Sequence, residues 1–208
     1  MDKDFIYGYF NLGIVYRRLK AYDLSLKFLN KAKELNPEYY YTYNEMSSVL
    51  SLLKRHEEAL SIASDLLSRI TPDTDLTIKL DAYTNRGNAS YYLRKYEDAI
   101  KDYTYIIDQL DNRNLSAFVN RGSAYRCLNQ FDKAEADLHT ATQLKADDGY
   151  AYMELAIINE ARGNLEEFFR LAEKAVTSPS PYPLKEDLDD EPVFKKYLGD
   201  PRFQKLLH

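Results

Sequence analysis

Between residues 5 and 176, apolar and small residues recur at helical spacing in five blocks. In the first block Tyr9, Leu12, Gly13 and Tyr16 fall on one helical face. A turn near Lys20-Ala21 follows, and Tyr22, Ser25, Leu29 and Ala32 then mark a second helix ended by Pro37. The second block repeats this with Tyr43, Met46, Ser47 and Leu50, then Ala59, Ala63 and Leu66, and closes at Pro72. Tyr83, Gly87, Ala99, Tyr103 and Ile106 form the third, and Phe118, Gly122, Tyr125, Ala134, Leu138 and Ala141 the fourth. The fifth has Tyr152, Leu155, Ala156, Phe168, Ala172 and Ala175, with a turn at Arg162-Gly163-Asn164 where Gly suits the left-handed end of a helix. Each block predicts two antiparallel helices, closest where Gly13 and Ser25 stand, because a larger side chain there would push them apart. Phe168 occupies that small-residue place in the last block. It predicts either a splayed pair or a surface that receives the tail.

Asn85-Arg86-Gly87 returns as Asn120-Arg121-Gly122, and Ala99 returns as Ala134. A fixed period in the thirties is the signature of a stacked array, in which each unit leans on its neighbours. The repeats are placed at 5–37, 39–72, 79–112, 114–146 and 148–177. Between the second and third, within Ser68 to Lys79, extra residues predict a longer loop or an extended first helix. Thr71-Pro72-Asp73 is the stop signal there, and Asp73 or Asp75 is the cap. Prolines at 179, 181 and 183 make 178–183 an extended linker. Residues 184–208 hold Val193, Phe194, Tyr197, Leu198, Phe203, Leu206 and Leu207, too apolar for an unattached tail. One or two short helices covering the last repeat are expected, with the alternative of a tail seated in its own groove or a neighbour's. The acidic run Asp187–Glu191 reads as a solvated segment.

The first block resembles the tetratricopeptide repeat, whose pattern is an aromatic, Leu-Gly, Tyr, then Ala, an aromatic, Ala and a closing Pro, with the first Ala replaced here by the still small Ser25. Tyr9, Leu12-Gly13, Tyr16, Ser25, Leu29, Ala32 and Pro37 carry the likeness. Arg86 and Arg121 stand where Leu is usual, and Asn-Arg-Gly is a common variant in that family. The ending GDPRFQKLL looks like the closing segment of many bacterial arrays of this kind. The resemblance implies an all-α, right-handed superhelical solenoid of five hairpins with a C-terminal cap. It also implies a groove, lined by the first helix of each pair, that holds peptides or protein segments.

Composition narrows the function classes. Only Pro37 and Pro72 interrupt the first 178 residues, as an all-helical chain requires. With 28 basic and 33 acidic residues and no basic block, nucleic-acid binding is not expected. A lone Cys127 excludes an internal disulfide and suits a reducing compartment. Met-Asp-Lys-Asp does not open a signal peptide, and no apolar run approaches the roughly 20 residues that span a bilayer. A cytoplasmic protein without membrane association is the expectation. His56, His139 and His208 are far apart, no phosphate-cradling Gly-rich loop occurs, and Cys127 has no evident base. Both His56 and His139 are expected to face solvent. Glu57-Glu58, Glu97-Asp98 and Glu166-Glu167 open second helices, where the helix dipole favours acids. No enzyme, metal or cofactor is expected.

The candidate chemistry lies in the groove. Two residues before the glycine place stand Asn11, Glu45, Asn85, Asn120 and Glu154, and one residue after it stand Ile14, Ser48, Asn88, Ser123 and Ile157. An Asn amide carries a donor and an acceptor and can pair with one peptide unit of an extended chain. The layout resembles the asparagine ladder in the repeat domain of O-linked N-acetylglucosamine transferases. The alternative is that these Asn bond water or neighbouring helices. Asn88 and Asn120 also match the Asn pair of the carboxylate clamp of co-chaperones. However, Thr84, Tyr150 and Glu154 stand where that clamp needs cations, which argues against an acidic C-terminus as ligand. Tyr7, Phe10, Tyr41, Tyr91, Tyr92 and Tyr150 could form an aromatic floor. A gradient from Arg17 and Arg18 to Glu154 and Glu160 predicts a polar ligand laid in one direction. The candidate peptide-binding residues are therefore Asn11, Arg17, Asn44, Asn85, Asn88, Tyr91, Tyr92, Asn120, Arg126, Tyr150 and Glu154. The expected activity is a non-enzymatic scaffold for a protein or peptide segment. The alternatives are self-association through the apolar tail, or a regulatory part of a larger protein.

Overall fold

A computed structural model describes residues 3–180, 182–183 and 192–207. Pro181 of the linker, the acidic run Asp187–Glu191 and His208 lie outside them. The fold is all-α. It divides into two compact units, residues 1–112 and 113–208. The first unit contains α1 (Lys3–Arg18), α2 (Tyr22–Leu35), α3 (Tyr41–Leu52), α4 (His56–Arg69), α5 (Leu76–Tyr92) and α6 (Tyr96–Tyr105). Its last helix widens into a π-helical turn over Ile106–Leu110. The second unit contains α7 (Leu115–Cys127), α8 (Phe131–Leu144), α9 (Gly149–Ala161), α10 (Leu165–Thr177), α11 (Pro192–Lys195) and α12 (Pro201–Leu206). The extra residues before the third hairpin lengthen α5 to 17 residues. Asp75 caps it, accepting the Thr77 N–H at 2.7 Å. Asn114 and Asp148 cap α7 and α9, each accepting the N–H three residues on, from Ala117 and Ala151.

Small residues set the helix pairing. A Cβ on Gly13 would lie 2.6 Å from Leu29, one on Gly87 2.7 Å from the Tyr103 ring, and one on Gly122 2.9 Å from Leu138. Where a serine replaces glycine or alanine, its hydroxyl bridges the same narrow gap. Ser25 Oγ donates to the Gly13 carbonyl at 2.7 Å, and Ser47 Oγ to the Ala59 carbonyl at 3.0 Å. Each hairpin then turns through one residue of left-handed backbone: Lys20, Lys54, Arg94, Asn129 and Gly163. The following N–H reaches back into the helix at 2.8–2.9 Å, from Ala21 to Tyr16, Arg55 to Leu50, Lys95 to Ser90, Gln130 to Tyr125 and Asn164 to Asn159. This closes the helix with a Schellman bond. Only Gly163 makes the turn without a Cβ, and nothing lies within 4 Å of where one would sit.

Arg86 and Arg121, which replace the usual Leu, close their hairpins with ion pairs. The Arg86 Nε donates to Asp102 at 2.9 Å, and both Nε and Nη2 of Arg121 reach Asp137 at 2.7 Å. Asp102 and Asp137 are buried. Burial pushes the Asp102 carboxyl above its ordinary value, against the Arg86 guanidinium that pulls it down. Buried carboxylates need such partners because desolvation alone disfavours their charge.

In the second unit Phe168 is fully buried, and its ring lies 5.0 Å from Tyr197 of the tail. The bulk in the small-residue place therefore receives the tail, the second of the two outcomes the sequence allowed. Phe194 and Phe203 are also fully buried, with ring centres 5.9 Å apart. Arg202 lies over the Phe169 ring at 3.9 Å, and Lys205 pairs with Glu173 at 3.0 Å. Of the tail side chains offered above for self-association, Val193, Phe194 and Phe203 are buried and Tyr197 packs on Phe168, while Leu198 stays exposed. The segment after α10 crosses the start of α9, where the Gly149 N–H donates to the Ser180 carbonyl at 2.9 Å. A Cβ on Gly149 would lie 2.5 Å from the Ser180 carbonyl oxygen, a main-chain atom that cannot rotate away.

Two stability predictions follow from these contacts. Gly163→Ala should lower the free energy of unfolding by about 1 kcal/mol, read from urea denaturation, since only the backbone conformation is at stake there. Arg121→Leu restores the usual residue yet strands Asp137, so it should cost about 2–3 kcal/mol. The double variant Arg121→Leu/Asp137→Leu should recover most of that loss, and a double variant no better than the single one would remove the pair from the account.

Candidate protein-interaction surface

In the first unit the first helices α1 and α3 bring four aromatic rings together. Tyr39, in the connection between α2 and α3, lies 5.4 Å from Tyr7, 5.1 Å from Phe10 and 5.5 Å from Tyr41. Tyr7 is 46% exposed and Tyr41 38%. Partial burial, with Tyr7 and Tyr41 adding to it, pushes the Tyr39 hydroxyl above its ordinary value. Asn11, one turn beyond Tyr7, is exposed. Arg17, further along α1, donates from Nε to Glu45 of α3 at 2.8 Å. Burial, then the neighbouring Glu45, pushes the Asp81 carboxyl on α5 above its ordinary value.

The amides of this unit tie helices together. Asn44 is buried and donates to the Ile78 carbonyl at 3.2 Å, while its own Oδ1 has no hydrogen-bond partner among the described residues. Asn85 donates to the Asn44 carbonyl at 3.3 Å and accepts from the Ser48 hydroxyl at 3.4 Å. Asn88 accepts the Tyr103 hydroxyl at 2.7 Å. Tyr91 packs edge-on against Tyr92 at 5.6 Å and Tyr96 at 5.5 Å. Tyr92 stacks on His56 at 4.7 Å with the planes 12° apart. His56 is thus half-buried rather than turned to solvent, with a buried Nδ1 that has no hydrogen-bond partner among the described residues. His139 is exposed, as expected.

In the second unit Arg126 and Glu154 form an ion pair at 2.6 Å, with both side chains largely buried. Tyr150 is exposed and meets Tyr182 edge-on at 5.2 Å. Asn120 is half-buried on α7. Glu160 receives Lys196 at 2.9 Å and the Tyr197 hydroxyl at 3.0 Å. The expected charge gradient is therefore corrected. Arg17, Glu154 and Glu160 each face an opposite charge of their own chain and do not present an open field to a ligand. The register that does this is visible in the sequence. Arg17 and Glu45 stand four after one small-residue place and two before the next, and so do Arg126 and Glu154. That shared offset is the signal the sequence reading missed. Among the described residues, no group of three or more His, Cys, Asp or Glu could hold a metal ion. No helix there is long and apolar enough to cross a membrane.

Sequence models of the tetratricopeptide repeat match residues 6–39 and 119–183. The chain is a tetratricopeptide repeat (TPR) protein. Its fold is similar to a thermophilic TPR protein of Thermus thermophilus, with a TM-score of 0.71, 22% identity, and coverage of 97% of this chain and 98% of that one. It is also similar to YrrB, a TPR protein with an unusual peptide-binding site, with a TM-score of 0.62, 16% identity, and coverage of 88% and 91%. Among curated proteins, the heat shock protein STI1 of Saccharomyces cerevisiae is 26% identical over 92 residues, which is 44% of this chain and 16% of that protein. At these identities the structural likenesses speak for the fold. Repeats of this family serve as a class as protein-interaction modules. The Glu154–Arg126 pair bears on the clamp considered above, since an acid already bonded to Arg126 occupies the place of one of its cations.

Proposed function

We propose that the protein is a non-enzymatic scaffold that holds an extended segment of a partner protein, and that its contact surface in the first unit is centred on Tyr7, Phe10, Asn11 and Tyr41. The observation that carries this reading is the exposed aromatic cluster itself. Clustered tyrosines that stay partly exposed, as Tyr7 and Tyr41 do, combine large contact area with few rotors and a polar end, the properties favoured at interfaces. Asn11 beside them supplies a donor and an acceptor for the backbone of a segment laid across the rings. Asn85 and Asn88 continue the surface on α5. The Asn85 amide makes one bond from each end to α3, which leaves it one proton and one lone pair for a ligand. Asn120, Tyr150 and the Arg126–Glu154 pair are the corresponding contacts in the second unit. The likeness to YrrB, a TPR protein with an unusual peptide-binding site, supports peptide capture, and the identity of the segment is open to experiment.

The test uses the full chain with a photo-crosslinking phenylalanine in place of Tyr41, in extract of the native cell. Cross-links should map to one continuous extended segment of the partner. The exposed-site variant Tyr7→Ala/Asn11→Ala should retain its helicity and reduce capture roughly tenfold. Undiminished capture by that variant, or cross-links scattered over a folded partner surface, would refute the groove reading.

A further inference from the structure

The same face of the first helix is buried in later hairpins and open in the first. On α3, Thr42, Met46 and Val49 are 0%, 4% and 0% exposed. Met46 and Val49 pack against Leu26 and Leu29 of α2, the preceding second helix. On α5, Ala82 packs against Leu66 of α4. On α9, Ala151, Leu155 and Ile158 are equally buried. The matching residues of α1, in the same register from the small-residue place, are Gly8, Leu12 and Val15. Leu12 is 41% exposed and Val15 48%, and a Cβ on Gly8 would meet no atom within 4 Å among the described residues. Phe5 and Leu19, 63% and 68% exposed, extend this stripe one turn in each direction. Continuous apolar stripes of this kind are uncommon on soluble surfaces unless something docks there.

We propose that this face of α1 docks an amphipathic α-helix of a separate partner protein, with Leu or Ile along its apolar side and acidic residues along its flanks. The helical form follows from the later hairpins. There α2 and α4 cover the equivalent face with leucines, and the α1 face has the same spacing with a dent at Gly8 that admits a large side chain. The acidic flanks follow from the rim. From Arg18 to Glu34 the exposed charges are Arg18, Lys20, Lys27 and Lys31 against Asp23 and Glu34. Lys27 borders a hollow with Tyr9, Phe28 and Asn30, beside Lys31 and Glu34, which pair with each other at 2.9 Å. A second copy of this chain would set that basic rim against itself, whereas an acidic helix would neutralise it. This surface is distinct from the aromatic cluster, and the inference does not rest on the groove reading.

The probe is a labelled synthetic peptide of residues 56–69 carrying Arg69→Glu, a helix of the kind that covers α5 with added acid. Fluorescence anisotropy with the full chain should show saturable binding that weakens as salt rises. Val15→Glu, at an exposed site, should weaken it roughly tenfold by setting an acid inside the apolar contact. Lys27→Glu/Lys31→Glu should weaken it several-fold and flatten the salt dependence. Circular dichroism confirms that each variant folds, and Leu19→Asp serves as a second disruption at the far end. Absence of binding overturns the proposal, as does binding that Val15→Glu and Leu19→Asp leave intact, which would place the peptide elsewhere on the chain. A dimer in sedimentation that Val15→Glu dissolves would assign the face to a second copy and also overturn it.

Discussion

Two antiparallel helices can approach closely only where one of them lacks a side chain, and every other feature of these hairpins is referred to that point. Leu29, Tyr103 and Leu138 each fill the space above a glycine that could not bear a Cβ. The hydroxyls of Ser25 and Ser47 fit the same gap because each finds a carbonyl across it. Once that contact is fixed, helical geometry assigns the remaining positions. One face meets the preceding second helix, and the chain reverses through a left-handed residue at the same distance beyond the small-residue place in all five hairpins. The lysines, arginine and asparagine at four of those turns show that tertiary closure tolerates a local backbone cost of the order of 1 kcal/mol.

Charge is organised by the same register. Within hairpins, Arg86 and Arg121 reach the buried Asp102 and Asp137. Between successive first helices, Arg17 meets Glu45 and Arg126 meets Glu154. Pairs of this sort contribute little net stability, because desolvation offsets much of the attraction. Their larger effect is on recognition. By neutralising Arg17, Glu45, Arg126 and Glu154, they leave the rings and amides beside them as side chains with which a partner can be read. The tail acts similarly on the second unit, where Lys196 and Tyr197 occupy Glu160 and the buried Phe168 meets Tyr197.

The first unit therefore presents two surfaces of different chemistry. One is the ring cluster around Tyr39, polar at its tips and suited to an extended chain. The other is the stripe from Phe5 to Leu19, which lacks polar groups for a peptide backbone and suits a partner whose backbone is already satisfied within a helix. The distinction rests on hydrogen bonding. A strand-like ligand needs donors and acceptors such as Asn11, while a helix needs only a complementary apolar surface.

The helices and their pairing were legible in the sequence, because small residues at Gly13, Gly87 and Gly122 and apolar residues at helical spacing state a local steric rule that no distant contact can alter. The cap at Asp75 was legible, for it acts within a few residues. The candidate site was only partly legible. Asn44, Asn85 and Asn88 could be placed on first helices, but a sequence does not say which amide atoms a neighbouring helix will take, and bonds to Ile78, Ser48 and Tyr103 decide that. Arg17 and Glu154 read as opposite ends of a ligand track until folding paired Arg17 with Glu45 and Glu154 with Arg126. The exposure of Val15 depends likewise on stacking, since Val49 in the same register is fully buried. Local sterics fixed what this chain becomes, while the contacts between successive hairpins fixed which of its side chains remain available to a partner.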